Sequence, residues 1–266
     1  MKLKNIKITI SYDGSGYAGW QRLKEEEGKR SLQSVLEEAL SLVLKENIKI
    51  TGSGRTDKGV HAIGQAANFK CHTKLGPKEM QGAINEILPE DILVTDVIEV
   101  PMDFHSRKSA IAKTYEYRFE IEEVPLVFLR KYICQVGEEL DIKAMEKAAA
   151  LLTGTHDFKA FSSEKREDYD TVRRIDSIFI EAVKDVDYHR VSRQVRIQIT
   201  GNGFLYNMVR IIAGTLLEIG LHKREAEEIE GIFKSKRREN AGMTLPPQGL
   251  YLKEVIFPVE INFKIK

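Results

Sequence analysis

Hydrophobic and polar positions alternate from residue 4 to 12. Ile6, Ile8 and Ile10 fall on one side and Lys7 and Thr9 on the other, which predicts a strand. A glycine-rich, charged stretch, 13–30, reads as a loop. Ser31 suits an N-cap, and after it Leu32, Val35, Leu36, Ala39, Leu40, Val43 and Leu44 recur at helical spacing. Ile48 to Ser53 reads as a strand, Gly54 to Gly64 as a loop, and Gln65 to Cys71 as a second strand. Pro77 fits the first turn of a helix reaching about Leu88, and Ile92 to Val100 predicts another strand. The order is βαββαβ.

The second half repeats it. Tyr115, Tyr117, Phe119 and Ile121 alternate with Thr114, Glu116, Arg118 and Glu120. A helix is expected from about Asp141 to Leu152, strands at about 172–184 and 190–200, and helices at about 204–220 and 224–234. Leu250 to Phe257 closes as a strand. The pattern predicts an α+β protein of two ferredoxin-like, RRM-like βαββαβ halves, 1–105 and 106–266. The halves are expected to join edge to edge into one largely antiparallel sheet, with helices on one face. A central active-site cleft would then lie near the seam, residues 101–110.

Composition narrows the class. The 266 residues are 42% hydrophobic and 30% charged, an ordinary folded balance. Cys71 and Cys134 cannot build a disulfide framework, and no C-x-x-C pair offers a zinc site. The basic N-terminus lacks the apolar run of a signal peptide, and no stretch approaches a membrane span. A cytoplasmic protein is expected. Lys plus Arg number 41 and Asp plus Glu 40, a net charge of +1, so bulk charge does not advertise a nucleic-acid partner.

Three segments concentrate chemistry. In Thr51-Gly52-Ser53-Gly54-Arg55-Thr56-Asp57-Lys58-Gly59-Val60-His61-Ala62, glycines, a carboxylate, an arginine and a histidine crowd one connection. Phosphate-loop spacing fails, because Val60 and His61 stand where a P-loop needs Lys and Ser/Thr. Asp57 beside Arg55 reads either as an ionised nucleophile or base, or as a turn residue satisfying backbone groups. Arg210 is the sole charged residue between Ile197 and Leu217. Its guanidinium either needs a buried anionic partner or packs its stem while its head reaches water. Tyr115 and Tyr117 share a strand face, which suits a core, a base-stacking platform or a proton carrier.

Together these residues resemble the TruA family of tRNA pseudouridine synthases, and the resemblance runs nearly end to end. It rests on Tyr12-Asp13-Gly14 with Gly19-Trp20-Gln21, Gly54-Arg55-Thr56-Asp57 with Gly59-Val60-His61-Ala62, and Leu88-Pro89-Glu90-Asp91-Ile92. Further on it includes Phe104-His105-Ser106-Arg107, Lys113-Thr114-Tyr115-Glu116-Tyr117, His156-Asp157-Phe158 with Ala160-Phe161, and Thr171-Val172-Arg173. Phe204 with Met208-Val209-Arg210, and Pro246-Pro247-Gln248-Gly249-Leu250-Tyr251-Leu252, complete it. Ser106 departs from the pattern, which expects alanine there.

The resemblance implies isomerisation of uridine to pseudouridine in the anticodon arm of tRNA, at positions 38–40, by a homodimer that needs no cofactor or metal. It makes Asp57 the essential carboxylate. Attack on the sugar, attack on the base and removal of a C2′ proton all stay open as its step. Arg210 would pair with Asp57, Tyr115 would stack on the uracil and take the C5 proton, and Arg55 would fill the stack left by the flipped nucleotide. Arg22, Lys24, Lys29, Arg30, Lys58, Arg107 and Lys113 are candidate phosphate contacts, and His61 and His105 candidate cleft residues. Lys234-Ser235-Lys236-Arg237-Arg238 is the densest basic run, readable equally as a solvated helix end. Two rivals remain: a non-catalytic RNA-binding protein on the same scaffold, and a pseudouridine synthase acting on ribosomal RNA.

Overall fold

The computed structural model describes residues 2–22, 30–166, 168–187 and 190–259. Five helices and ten strands, mostly antiparallel, give an α+β fold among these residues. The chain divides into two compact units, Met1–Ala112 with Tyr251–Lys266, and Lys113–Leu250.

In the first unit β1 (Leu3–Tyr12) lies between β3 (His61–His72) and β4 (Ile92–Val100), antiparallel to both. Ile6, Ile8 and Ile10 are buried as their alternation predicts. Helix α1 (Leu32–Leu44) starts at Ser31, whose hydroxyl accepts from the Ser34 N–H, and buries Leu32, Leu36 and Leu40. Helix α2 (Pro77–Asn85) opens on its proline.

Three local expectations give way to long-range contacts. Strand β2 is only Thr51–Gly52, because the backbone before it bonds to helix side chains. The Ile48 N–H donates to Ser41 Oγ and the Ile50 N–H to Glu37 Oε1. Strand β3 begins four residues before Gln65, because His61 and Ala62 pair in parallel with Tyr251 and Leu252 of β10 (Leu250–Ile256). The closing strand thus belongs to the first unit's sheet, although chain order places it after the second half. Lys7, on the expected wet side of β1, is buried with its ammonium 5.1 Å from the centre of the Phe257 ring, and desolvation lowers its pKa.

In the second unit the order is β5 (Ala112–Glu120), β9 (Arg190–Gly201), β8 (Val172–Asp187), β7 (Gly154–Asp157), with β6 (Cys134–Gln135) parallel on the other edge of β5. Tyr117 and Phe119 face Ile197 and Val195 across the β5–β9 ladder, and all four are buried. The polar side of β5 is covered too. Glu120 is fully buried and accepts from the Leu126 N–H and Ser192 Oγ, while Glu116 pairs with Arg118 Nε at 2.7 Å. These partners offset the desolvation that a buried carboxylate would otherwise suffer. Helices α3 (Ile142–Leu152), α4 (Met208–Gly220) and α5 (Glu228–Ser235) complete the unit, α4 almost wholly buried.

The departure at Ser106 has a structural cost. Its N–H donates to Asn68 Oδ1, but its hydroxyl is buried and has no hydrogen-bond partner. An unsatisfied hydroxyl is worth less than a methyl in the same space. Ser106→Ala is expected to raise stability by about 1 kcal/mol, roughly 2 to 4 °C in a chain of this size. A thermal melt showing no gain would refute this account of the site.

Candidate active site

The connection 53–60 is a built loop, tied down at both ends. The Ser53 N–H donates to the Ala66 carbonyl and Ser53 Oγ to Gln65 Oε1, while Gln65 Nε2 donates to the Gly54 carbonyl. At its apex the Val60 N–H closes a turn onto the Asp57 carbonyl. Gly59, third residue of that turn, has φ +81°, the positive φ a type II turn needs there. Asp57 is therefore the first residue of a hydrogen-bonded turn.

The segment after β1 clamps the loop from outside. Tyr12 Oη and Thr56 Oγ1 are 2.7 Å apart and buried, and the Trp20 N–H donates to the Thr56 carbonyl. The Gly14 N–H donates to His61 Nδ1 at 3.1 Å, with Asp13 Oδ1 3.2 Å from the same nitrogen. The His61 ring stacks on Tyr251, centroids 4.9 Å apart. Gly14 lies against Val60 so closely that a Cβ would stand 2.0 Å from the Val60 carbonyl oxygen. Nothing in the sequence assigns Tyr12, Gly14, Trp20 or Gln65 a role in holding this loop. The Tyr-Asp-Gly and Gly-Trp-Gln motifs contain the first three, Gln65 stands only at the start of an expected strand, and a motif does not name its partners.

What the loop presents differs residue by residue. Asp57 is half-buried, and Arg55 and Lys58 are exposed on either side of it. His61 is 2% exposed, a burial that fits holding the loop and not direct contact with a polynucleotide. Arg22 is exposed but pairs at 3.3 Å with Glu37, a buried carboxylate on α1 that Lys49 also holds. Arg30 pairs with Glu38. Lys24 and Lys29 lie outside the described residues. Arg107 is exposed on a loop tied down by Asn5 and Asn68, whose amides donate to main-chain and side-chain oxygens beneath it. His105 Nδ1 accepts from the Arg107 N–H at 3.2 Å, a structural use of that ring.

Tyr115 and Arg210 belong to the second unit. Tyr115 is buried on β5, edge-on to Phe204 with centroids 5.1 Å apart. Helix α4 starts at Met208, four residues later than its apolar pattern predicts, because Asn207 is left-handed with φ 62° and ψ 4°. Arg210, on the first turn of α4, is half-buried. Its Nε donates to the Leu245 carbonyl at 2.6 Å and its Nη1 to Asn207 Oδ1 at 2.8 Å. The next carbonyl, Pro246, accepts from the buried Tyr117 hydroxyl at 2.7 Å. Burial raises the Tyr117 pKa well above the ordinary phenol, with Arg210 opposing it. One short stretch of backbone before the Pro-Gln-Gly turn thus orients both side chains.

Other charged motifs have structural employment. Within the basic run, Lys236 pairs with Asp157 at 2.7 Å, Lys234 with Glu230 at 3.5 Å, and Arg238 donates to Thr244 Oγ1. His156, Phe158 and Phe161 pack around Phe233. Among the described residues no group of three or more His, Cys, Asp or Glu is gathered to hold a metal, and no helix is long and apolar enough to cross a membrane.

Comparison with known proteins fits this arrangement of motifs. A family model described as tRNA pseudouridine synthase matches residues 8–107 and 148–258, which includes the Asp57 loop, its clamp and the first turn of α4. A protein of Clostridium tetani called tRNA pseudouridine synthase A 2 is 43% identical over 254 residues, covering 96% of this chain and 99% of that one. The tRNA pseudouridine synthase A of Caldicellulosiruptor bescii is 41% identical over 255 residues, covering 96% and 100%. That of a Geobacillus species is 44% identical over 255 residues, covering 96% and 98%. Matched by that family model over both stretches and by these relatives over nearly its whole length, the chain belongs to the tRNA pseudouridine synthase family, isomerases that act on uridine in tRNA.

Proposed function

We propose that this enzyme forms pseudouridine in the anticodon arm of tRNA, at positions 38, 39 and 40, as a cytoplasmic homodimer that grips one tRNA across both subunits. The observation that carries the site assignment is the pinned turn bearing Asp57, with exposed Arg55 and Lys58 at its shoulders. A carboxylate that must act on one ribose carbon or one base gains from such rigidity, since misplacement by an ångström costs rate steeply.

In this reading residues 1–105 supply the carboxylate and residues 106–266 supply Tyr115 and Arg210. The uridine is extruded from the stem, at a cost of a few kcal/mol, and Arg55 enters the space it leaves. The bond from N1 to C1′ breaks, the uracil turns while bound, and C5 joins C1′. Tyr115 stacks on the uracil and takes the C5 proton as N1 gains one. Arg210 pairs with Asp57 and keeps it ionised. Arg22, Lys58 and Arg107 meet phosphates, and His61 supports the loop from behind.

Charge supports a dimer. Residues 1–105 carry 14 basic and 15 acidic side chains and the rest 27 and 25, so neither half is a basic module. Two subunits double whatever basic surface is gathered locally, and affinity is expected to fall steeply with salt. The test is incubation with unmodified tRNA and ribosomal RNA transcripts, then carbodiimide primer extension. Stops confined to positions 38–40 of tRNA are expected. Product in ribosomal RNA alone, or elsewhere in tRNA, overturns the substrate assignment.

A further inference from the structure

We infer that Asn207 is a positioning residue for catalysis, acting through the Arg210 guanidinium; this rests on the proposed pairing of Arg210 with Asp57. A guanidinium on a flexible stem has a wide choice of orientations, and pairing with a carboxylate is geometric as well as electrostatic. Here two of its donors go to separate acceptors: Nε to the Leu245 carbonyl at 2.6 Å and Nη1 to Asn207 Oδ1 at 2.8 Å. A planar fork held at two points has its plane set before any substrate arrives. Asn207 stands three residues before Arg210, the spacing at which side chains on a helix's first turn meet.

Position 207 makes two demands on one residue. Its backbone is left-handed, φ 62° and ψ 4°, a conformation that glycine adopts at no cost and asparagine more readily than most others. Its side chain must also offer an acceptor at the distance of Oδ1. Glycine meets the first demand alone, and aspartate meets both. The pair of variants therefore separates the backbone role from the side-chain role.

Steady-state kinetics on an unmodified tRNA transcript, together with thermal melts, provide the test. Asn207→Gly is expected to lower kcat by about 10²-fold, as misplacement of a catalytic group does, with KM held within about 2-fold and little change in Tm. Asn207→Asp, which keeps the acceptor, is expected to recover most of that loss. A kcat for Asn207→Gly near the native value, a change confined to KM, or an Asn207→Asp no faster than the glycine variant each overturns the inference. Arg210→Ala tells the two levels apart. If it abolishes turnover while Asn207→Gly does not, only the role of Asn207 falls; if it turns over normally, the pairing of Arg210 with Asp57 falls as well.

Discussion

Asp57→Asn is expected to abolish pseudouridine formation, lowering kcat on the order of 10⁴-fold or more, while tRNA binding and the melting temperature stay near native values. The Asp57 main-chain carbonyl closes the turn with the Val60 N–H, and the ties through Ser53, Gln65 and Thr56 do not use its carboxylate, so an isosteric amide leaves those ties in place. What the amide removes is the negative charge and the nucleophilic or basic oxygen that every version of the chemistry requires. Single-turnover assays and filter binding on the same transcript separate the two effects. Turnover by the Asn variant would move the essential group elsewhere, and binding without turnover by the native protein would favour the non-catalytic rival.

The second large effect is expected at Gly14, which no chemical step touches. A Cβ there would stand 2.0 Å from the Val60 carbonyl oxygen and 2.7 Å from its carbon, both main-chain atoms that cannot swing aside. Either the Asp13–Gly14 segment or the turn carrying Asp57 must shift. Gly14→Ala is expected to cost about 1 to 3 kcal/mol, the range of overpacking, and to lower kcat about 10²-fold through displacement of the turn. A melt and a kcat within error of native would show that Gly14 and the turn are not rigidly coupled. An equal loss in KM alone would place the damage in tRNA binding instead.

The two effects belong to different kinds of information in the chain. Asp57, Arg55, Tyr115 and Arg210 stand out because their side chains are chemically conspicuous where they occur: charges among glycines, one arginine in an apolar helix, tyrosines on a strand. Their clamp does not stand out. Tyr12 reaches Thr56 across 44 positions of sequence, and Gln65 bonds Ser53 across 12. Nothing in a tyrosine or a glutamine announces such a partner, because hydrogen bonds between side chains leave no period in the sequence. Asn207 is a similar case. Its left-handed backbone delays α4 by a turn's length, while the apolar pattern simply continues through it.

For the fold, local periodicity was sufficient where an element's environment changes once per turn or per residue. The buried Ile6, Ile8 and Ile10, the cap at Ser31, the Pro77 start of α2 and the span Ile92–Val100 of β4 are all readable that way. Periodicity failed wherever a second layer or a distant strand arrived. Lys7, Glu116 and Glu120 are buried against it because Phe257, Arg118 and the segment around Leu126 cover their side of the strand. Strand β3 gains its first residues, and the first unit its last strand, only because residues 251 and 252 return to pair with 61 and 62.

By itself, then, the sequence determined the longer helices and strands, the apolar side of each, and the family whose motifs the chain carries. Tertiary structure alone decided where the last strand belongs, which polar groups are buried and paired, and how rigidly the Asp57 turn is held. The reason is physical. Helical and strand periods are set by the backbone within a few residues, whereas burial, register and hydrogen-bond partners depend on surfaces that meet only after the chain has closed on itself.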